Sequence, residues 1–271
     1  MSSWRLPFTE LCRRFLVGNG SFVLEFHGIA RQRYPELPSG AVSYLSAEEL
    51  QRILRWLGER YQFLPPEAFL EPGGPPPRSV LLTFDDGLAN NAENALPILE
   101  EAGAPAVFFV ATGHVGEPSQ RLHTSRSQEE ACGPLPQEVA TDLFAGMSRE
   151  QLEACAKSPL ITLGGHTESH PRLSTCDRSS LESELLRSKG FLEEVSGQKV
   201  DLFAYPSGDY DLCVAKAVRA AGYQAAFAED SLRFGIPRFE IPRVGLYNWR
   251  PDYLSAKLCG LHRRPLRRGD L

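Results

Sequence analysis

No stretch of these 271 residues holds the ~18 consecutive apolar positions that a membrane-crossing helix needs. Residues 1–14, Met-Ser-Ser-Trp-Arg-Leu-Pro-Phe-Thr-Glu-Leu-Cys-Arg-Arg, lack the continuous apolar core of a secretion signal. The chain as written is therefore expected to be cytoplasmic. Positive charge is not in surplus: 29 Lys and Arg stand against 34 Asp and Glu, a net charge of −5. That removes any general electrostatic pull towards nucleic acid. One segment breaks the balance, His262-Arg263-Arg264-Pro265-Leu266-Arg267-Arg268, and reads as a solvated basic end. The six cysteines, at 12, 132, 155, 176, 213 and 259, form no Cys-x-x-Cys pair. A dense disulfide framework is excluded, leaving thiols expected to act as small buried apolar residues. No internal repeat is visible.

What is present is ordinary for a globular protein: 42% hydrophobic and 23% charged residues. At this length the chain could form one large domain or two small ones. Short apolar runs at 22–26, 80–84, 106–110, 161–163, 201–205, 223–227 and 241–246 read as strands. Amphipathic segments at 46–60, 90–102, 148–157, 178–195 and 211–221 read as helices. In the first of these, Ser46 is an N-cap with Glu49 at the capping-box position. The Gly/Pro-rich stretch 71–77 can be neither helix nor strand. The repeated strand–helix alternation favours a parallel barrel or a doubly wound sheet. Between 114 and 147 the pattern fails, and this segment is either a lid over a site or a disordered surface excursion.

Two strings carry chemistry. Residues 81–87 read Leu-Leu-Thr-Phe-Asp-Asp-Gly, placing Asp85 and Asp86 where a buried strand ends and the backbone turns at a glycine. Residues 166–170 read His-Thr-Glu-Ser-His, two imidazoles four positions apart, expected to span one helical turn and reach one ion. Asp86, His166 and His170 make a two-nitrogen, one-oxygen donor set that suits Zn²⁺ and would accept Co²⁺ or Ni²⁺. Asp85 would then serve as a base for water, the parts list of a metal-assisted hydrolase. This is not the zincin helix, which needs a Glu directly after the first His; here Glu168 stands two positions on, facing away. His27, Asp85 with Asp86, His166, and Pro206 with Ser207 each follow a strand, as catalytic groups do in barrels.

These residues resemble the polysaccharide deacetylases of carbohydrate esterase family four, the group with the NodB-homology domain. The first family motif, Thr-Phe-Asp-Asp-Gly, stands at 83–87, and the second, His-Ser/Thr-x-x-His, at 166–170. An aromatic-Pro-x-Gly turn appears as Tyr205-Pro206-Ser207-Gly208, and Ile241-Pro242-Arg243-Val244 is similar to a late Leu-Pro-Arg-Ile string. The resemblance implies an irregular (β/α)7 TIM-like barrel in a single α/β domain. It places an N-terminal extension at 1–20, the catalytic domain at 21–250 with 114–147 inserted, and a basic tail at 251–271. It further implies removal of N-acetyl groups from a sugar in a polysaccharide, glycan or lipid-linked precursor. Asp85 would be the general base, and the backbone N–H of Ser207 a donor to the oxyanion. Pro206 would fix that turn, and Tyr205, Tyr247 and Trp249 are candidates for stacking on a sugar.

The chain departs from the family in two places. No late Leu-x-x-His string exists, but Phe26-His27-Gly28-Ile29 matches the Tyr-His-x-Ile string of a permuted branch similar to poly-N-acetylglucosamine deacetylases, making His27 the expected general acid. The Arg that opens the third motif is replaced by Ala204, and Arg243 could supply the missing guanidinium in fork geometry with Asp85. The expected partner is an acetylated glycan, with no nucleic acid and no transmembrane segment; the sequence leaves the oligomeric state open. Two other readings remain: hydrolysis of another amide or ester, and a carbohydrate-binding domain with a dead site.

Overall fold

Strand β1 (Phe22–Phe26) is buried along its whole length, and its alternating side chains divide the molecule into an inside and an outside. Phe22, Leu24 and Phe26 face outward into the main core; Val23 and Glu25 face inward. The computed structural model describes residues 20–37, 42–116, 132–133, 135–229 and 233–259. Beside β1 lie β2 (Gly28–Ala30) and β3 (Tyr44–Ser46), a parallel pair outside the barrel. Then come α1 (Ala47–Gly58), β4 (Gln62–Phe63), α2 (Pro66–Phe69), β5 (Ser79–Phe84), α3 (Leu96–Ala102) and β6 (Ala106–Val110). The second half is α4 (Gln137–Phe144), α5 (Arg149–Lys157), β7 (Ile161–Gly165), α6 (Arg178–Ser196), β8 (Leu202–Ala204), α7 (Leu212–Ala220), β9 (Ala225–Ala228), β10 (Ile241–Gly245) and α8 (Pro251–Leu258).

The named strands pair in parallel, in the order β1-β10-β9-β8-β7-β6-β5, and β5 returns to β1, so seven strands close a barrel. The short β4 adds to β5 at its start. This is the (β/α)7 TIM-like barrel in one α/β domain. Its interior is sorted by height. Val23, Leu81, Val107, Phe109, Leu202, Ala204, Ala225, Phe227 and Ile241 pack the lower interior. Two residues further along the inward-facing register, the side chains turn polar: Glu25 is aligned with Thr83, and Arg243 follows Ile241. The carboxyl ends of the strands thus carry charge above an apolar plug, which is where barrel enzymes place their chemistry.

Local signals explain most elements. Ser46 and Glu49 form the capping box: Ser46 Oγ accepts from the Glu49 N–H at 3.3 Å and Glu49 Oε2 from the Ser46 N–H at 2.9 Å. Helix α3 stops at Gly103, whose φ of 59° is left-handed. Residues 91–95 wind as a π-type segment rather than an α-helix. No described helix is long and apolar enough to cross a membrane.

Three expectations need correction. Inside 114–147, residues 137–144 are a packed helix, α4. Val139, Ala140, Leu143 and Phe144 lie against Ala30, Tyr34 and Tyr44. Asp142 accepts from the Arg31 N–H at 3.1 Å and the Tyr34 hydroxyl at 2.6 Å. Residues 117–131 lie outside the described residues. The segment 251–258, expected within a tail, is helix α8, started at Pro251 and anchored by buried Leu254 and Leu258; the basic run 262–268 lies outside the described residues. Of the described cysteines only Cys155 is buried, and Cys213 is exposed.

Candidate active site

Asp85 directly follows strand β5 and faces the barrel axis, held by its N–H donating to Phe26 O at 3.0 Å. At Asp86 the backbone turns left-handed, φ 76°, followed by Gly87 at 72°. That turn swings the second carboxylate over the same mouth, which strand alternation alone would forbid. A Cβ at Gly87 would sit 2.7 Å from Val110 Cγ1, so the tight approach of β5 and β6 requires glycine there.

The histidine motif is not a helical turn. It is a loop after β7 with Thr167 and His170 at φ 66° and 58°. Three backbone hydrogen bonds zip it to the segment after β6: His166 N–H to Val110 O at 3.2 Å, Thr112 N–H to Thr167 O at 3.1 Å, and Gly113 N–H to Glu168 O at 2.7 Å. Glu184 of α6, absent from every sequence motif, accepts from the N–H groups of Glu168 and Ser169, both at 2.8 Å. Gly164 and Gly165 precede the motif because a Cβ on either would strike the Phe109 or Tyr223 ring. Five non-glycine residues among those described have left-handed backbone. Four of them, Asp86, Thr167, His170 and Ser207, sit around this mouth. Such conformations cost roughly 1–3 kcal/mol each and collect at functional sites.

The loops bring three donors together. Asp86 Oδ1 lies 3.6 Å from His166 Nε2 and 3.5 Å from His170 Nε2, all buried. Ligand atoms of the three lie within 4.8 Å of one another. His166 Nδ1 is 2.8 Å from Ala204 O, a contact that places the proton on Nδ1 and leaves the Nε2 lone pair facing the others. The donor chemistry fits a divalent cation of the zinc class. Burial alone would raise the Asp86 carboxyl, but the imidazoles of His166, His27 and His170 hold it far below the usual carboxylate range. Burial and the neighbouring His166 ring push His170 down to about 4, so it is neutral, as a metal ligand must be, at pH 7.

Arg243 rises from β10 through the barrel, itself only 1% exposed. Its Nη1 donates to Asp85 Oδ1 at 2.6 Å and its Nη2 to Asp85 Oδ2 at 2.7 Å, a two-point fork. Nη1 also reaches Thr83 Oγ1 at 3.2 Å. Burial would push the Asp85 carboxyl up; Arg243 and His166 outweigh it and keep it below the ordinary value. Arg243 thus stands in the fork geometry with Asp85 that the sequence suggested. Asp85 Oδ2 is also 3.9 Å from His166 Nε2, so the base candidate borders the donor cluster.

His27, on the far side of Asp85, is about one fifth exposed, with Nδ1 3.8 Å from Glu25 Oε1. Ser207 is exposed at the tip of the turn with φ 53°, and Pro206 beneath it is buried. Tyr205 does not reach the mouth. It is fully buried, stacks on Tyr210 with ring centroids 4.4 Å apart, and donates to Phe239 O at 2.9 Å, so it offers no face to a sugar. Tyr247 keeps an exposed ring face and turns its hydroxyl inward to Glu25 Oε1 at 3.3 Å. Trp249 is half-buried under the Arg52 guanidinium. Sequence reasoning missed Glu25 and Glu229, the latter just beyond β9. Burial and the Glu25 charge push the Glu229 carboxyl up. A charged residue inside an apolar strand was the available signal for Glu25.

The chain is similar to known proteins in sequence and in fold. The chain is 25% identical over 234 residues to the poly-beta-1,6-N-acetyl-D-glucosamine N-deacetylase of Staphylococcus aureus strain MRSA252, covering 81% of this chain and 73% of that protein. It is 26% identical over 196 residues to YxkH of Bacillus subtilis strain 168, covering 70% of this chain but only 61% of YxkH. Among solved structures, Streptococcus pyogenes deacetylase PplD in complex with acetate superposes with a TM-score of 0.70 at 22% identity, covering 88% of this chain and 98% of that one. IcaB from Ammonifex degensii gives 0.62 at 24% identity, covering 89% and 98%. At such identities these two speak for the fold. The family profile described as polysaccharide deacetylase matches residues 73–226, more than half of the chain and the span holding both motifs. The chain belongs to the polysaccharide deacetylase family.

Proposed function

We propose that this protein hydrolyses the N-acetyl group of an amino sugar within a glycan, releasing acetate and leaving a free amine. The observation that carries the reading is the convergence of Asp86, His166 and His170 at one buried point, with the forked Asp85 beside it. Those three residues would hold a divalent cation, with Zn²⁺ fitting the donor set best and Co²⁺ or Ni²⁺ acceptable. When bound, such an ion supplies Lewis-acid polarisation of the acyl oxygen and lowers the pKa of water.

The chain's own groups divide the remaining work. Asp85 takes the proton of the attacking water. Each of its oxygens gives one lone pair to Arg243 and retains another for this task. Arg243 keeps the carboxylate ionised and aimed, at the expense of basicity, since a base is most effective with a pKa nearer the working pH. The backbone N–H of Ser207, at the strained turn, donates to the oxygen on which charge develops. As the C–N bond breaks, His27 gives a proton to the departing nitrogen, so the sugar leaves as a neutral amine. Tyr247, exposed beside His27 with ring centroids 6.0 Å apart, offers a face for the sugar.

The direct test compares wild type with Asp85→Asn for acetate release from N-acetylglucosamine oligomers. A proton-accepting role predicts a loss of about 10²–10⁴-fold in kcat. Wild-type rates in the variant, or no acetate from any N-acetylated glycan with wild type, would overturn the proposal.

A further inference from the structure

We infer that Glu184, on helix α6 and outside every motif, is a positioning residue for the cation site, holding the loop that carries His170. The inference rests on the metal reading above and adds a residue to it.

The two histidines of the motif are not held alike. His166 is fixed by the barrel itself: its N–H donates to Val110 O at 3.2 Å, and its Nδ1 lies 2.8 Å from Ala204 O. His170 stands beyond the end of β7, after the loop Thr167-Glu168-Ser169. The backbone on either side of Glu168 and Ser169 is left-handed, with φ 66° at Thr167 and 58° at His170. Non-glycine residues keep such angles only where the surrounding contacts impose them. The Thr167 hydroxyl accepts from the His170 N–H at 3.0 Å, which closes the loop on itself without anchoring it.

Anchoring comes from two sides. The segment after β6 donates its N–H groups to the carbonyls of Thr167 and Glu168. Those bonds leave the N–H groups of Glu168 and Ser169 still to be satisfied. Glu184 takes both: its Oε2 accepts from the Glu168 N–H and from the Ser169 N–H, each at 2.8 Å. Its Oε1 accepts from the Ser169 hydroxyl at 2.5 Å. Hydrogen bonds to an ionised acceptor are roughly twice as strong as neutral ones. Three residues further along the same helix face, Arg187 Nη2 lies 2.8 Å from Glu168 Oε1. Helix α6 therefore grips the two residues immediately before His170 by backbone and by side chain. Glu184 acts through that backbone, setting where the imidazole stands against Asp86 and His166. Groups that hold a ligand from behind typically contribute about 10–100-fold in metal affinity.

The test measures Zn²⁺ dissociation constants by competition with a chromophoric chelator. Glu184→Ala removes both acceptors and should weaken binding about 10–100-fold. Glu184→Gln keeps the shape and one carbonyl oxygen for the N–H pair but loses the charge, and should weaken it about two- to tenfold. Glu182→Ala, on the same helix with its carboxylate paired to Arg178, should leave the constant unchanged. A second readout needs no metal: hydrogen exchange in the stripped protein. The amides of Glu168 and Ser169 should exchange faster in Glu184→Ala, while the His166 amide, bonded to Val110 O, should not change. Unchanged zinc affinity in Glu184→Ala, an equal loss in Glu182→Ala, or unaltered exchange at 168 and 169 would overturn the inference. Should the alanine variant fail to fold, wild-type affinity in Glu184→Gln would overturn it instead. Wild-type protein that takes up no zinc overturns the metal reading and this inference with it. Tight binding that ignores Glu184 overturns the inference alone.

Discussion

Arg243 is a buried cation paired with two buried carboxylates, Asp85 and Glu25. It enters the barrel between them, and burial, which would lower its own pKa, is outweighed by Asp85 and Glu25. Removing it leaves those two charges facing each other. Arg243→Gln should destabilise the fold by about 3–5 kcal/mol, read from urea denaturation at neutral pH. Arg243→Lys should recover only part of that, because one ammonium cannot reproduce the fork. The pH dependence follows from the same pairings. Asp85 and Asp86 both have folded pKa values held below their ordinary value of about 4. A depressed carboxyl stabilises the fold above its unfolded value and loses that contribution as pH falls through the folded one. Stability should therefore drop as the pH falls below about 4, and Asp85→Asn should make the drop shallower. Urea midpoints measured from pH 5 to pH 2 check this. Asp85, Asp86, His166 and His170 were legible in the sequence because short strings carry them. Arg243 was legible because the resemblance calls for a guanidinium beside the base, and Ala204 stands where the family has that arginine. Glu25 was not read, although it is the only charge in an otherwise apolar strand and shares a face with His27. Tyr205 was misplaced: an aromatic before a proline looks available, and only packing on Tyr210 shows that it is core.

At the scale of elements, strand ends and the loops after them do the positioning. The glycine pair before the histidine motif makes room for two rings, Phe109 of β6 and Tyr223 of the turn before β9. A Cβ at Gly165 would lie 2.9 Å from Tyr223 Cζ and closer still to its hydroxyl. Gly165→Ala should cost about 1–3 kcal/mol through this overpacking and should lower activity by shifting His166. Adding Tyr223→Leu to that variant should recover part of the lost stability, by denaturation. The helices at 46–60, 148–157 and 178–195 were readable from spacing and caps, and the structure places them within a few residues. Two readings failed for physical reasons. The four-residue interval between His166 and His170 is the same in a helix and in a loop with two left-handed residues; convergence does not require a helical turn. Helix α4 was overlooked because Gly133-Pro134-Leu135-Pro136 precedes it. Its apolar pairs at 139–140 and 143–144 are a sound helical signal once the Pro-rich entry is discounted.

For the whole molecule, closure of the barrel turns local alternation into a vertical gradient. Inward-facing residues run from Val23, Leu81 and Ile241 below to Glu25, Thr83 and Arg243 above, and the motif loops stand on top. The β/α alternation made a parallel fold legible. The choice of a closed seven-strand barrel came from the resemblance, since the β5–β1 closure joins runs more than fifty residues apart and leaves no mark in periodicity. The account's central claim is that a divalent cation among Asp86, His166 and His170 is required to remove an acetyl group from a sugar. The most direct measurement is acetate release from N-acetylglucosamine oligomers by protein stripped with a chelator, then resupplied with Zn²⁺ or Co²⁺. The account predicts that stripping abolishes release, that either ion restores it in wild type, and that neither restores it in His170→Ala. Undiminished release from stripped wild-type protein would contradict it.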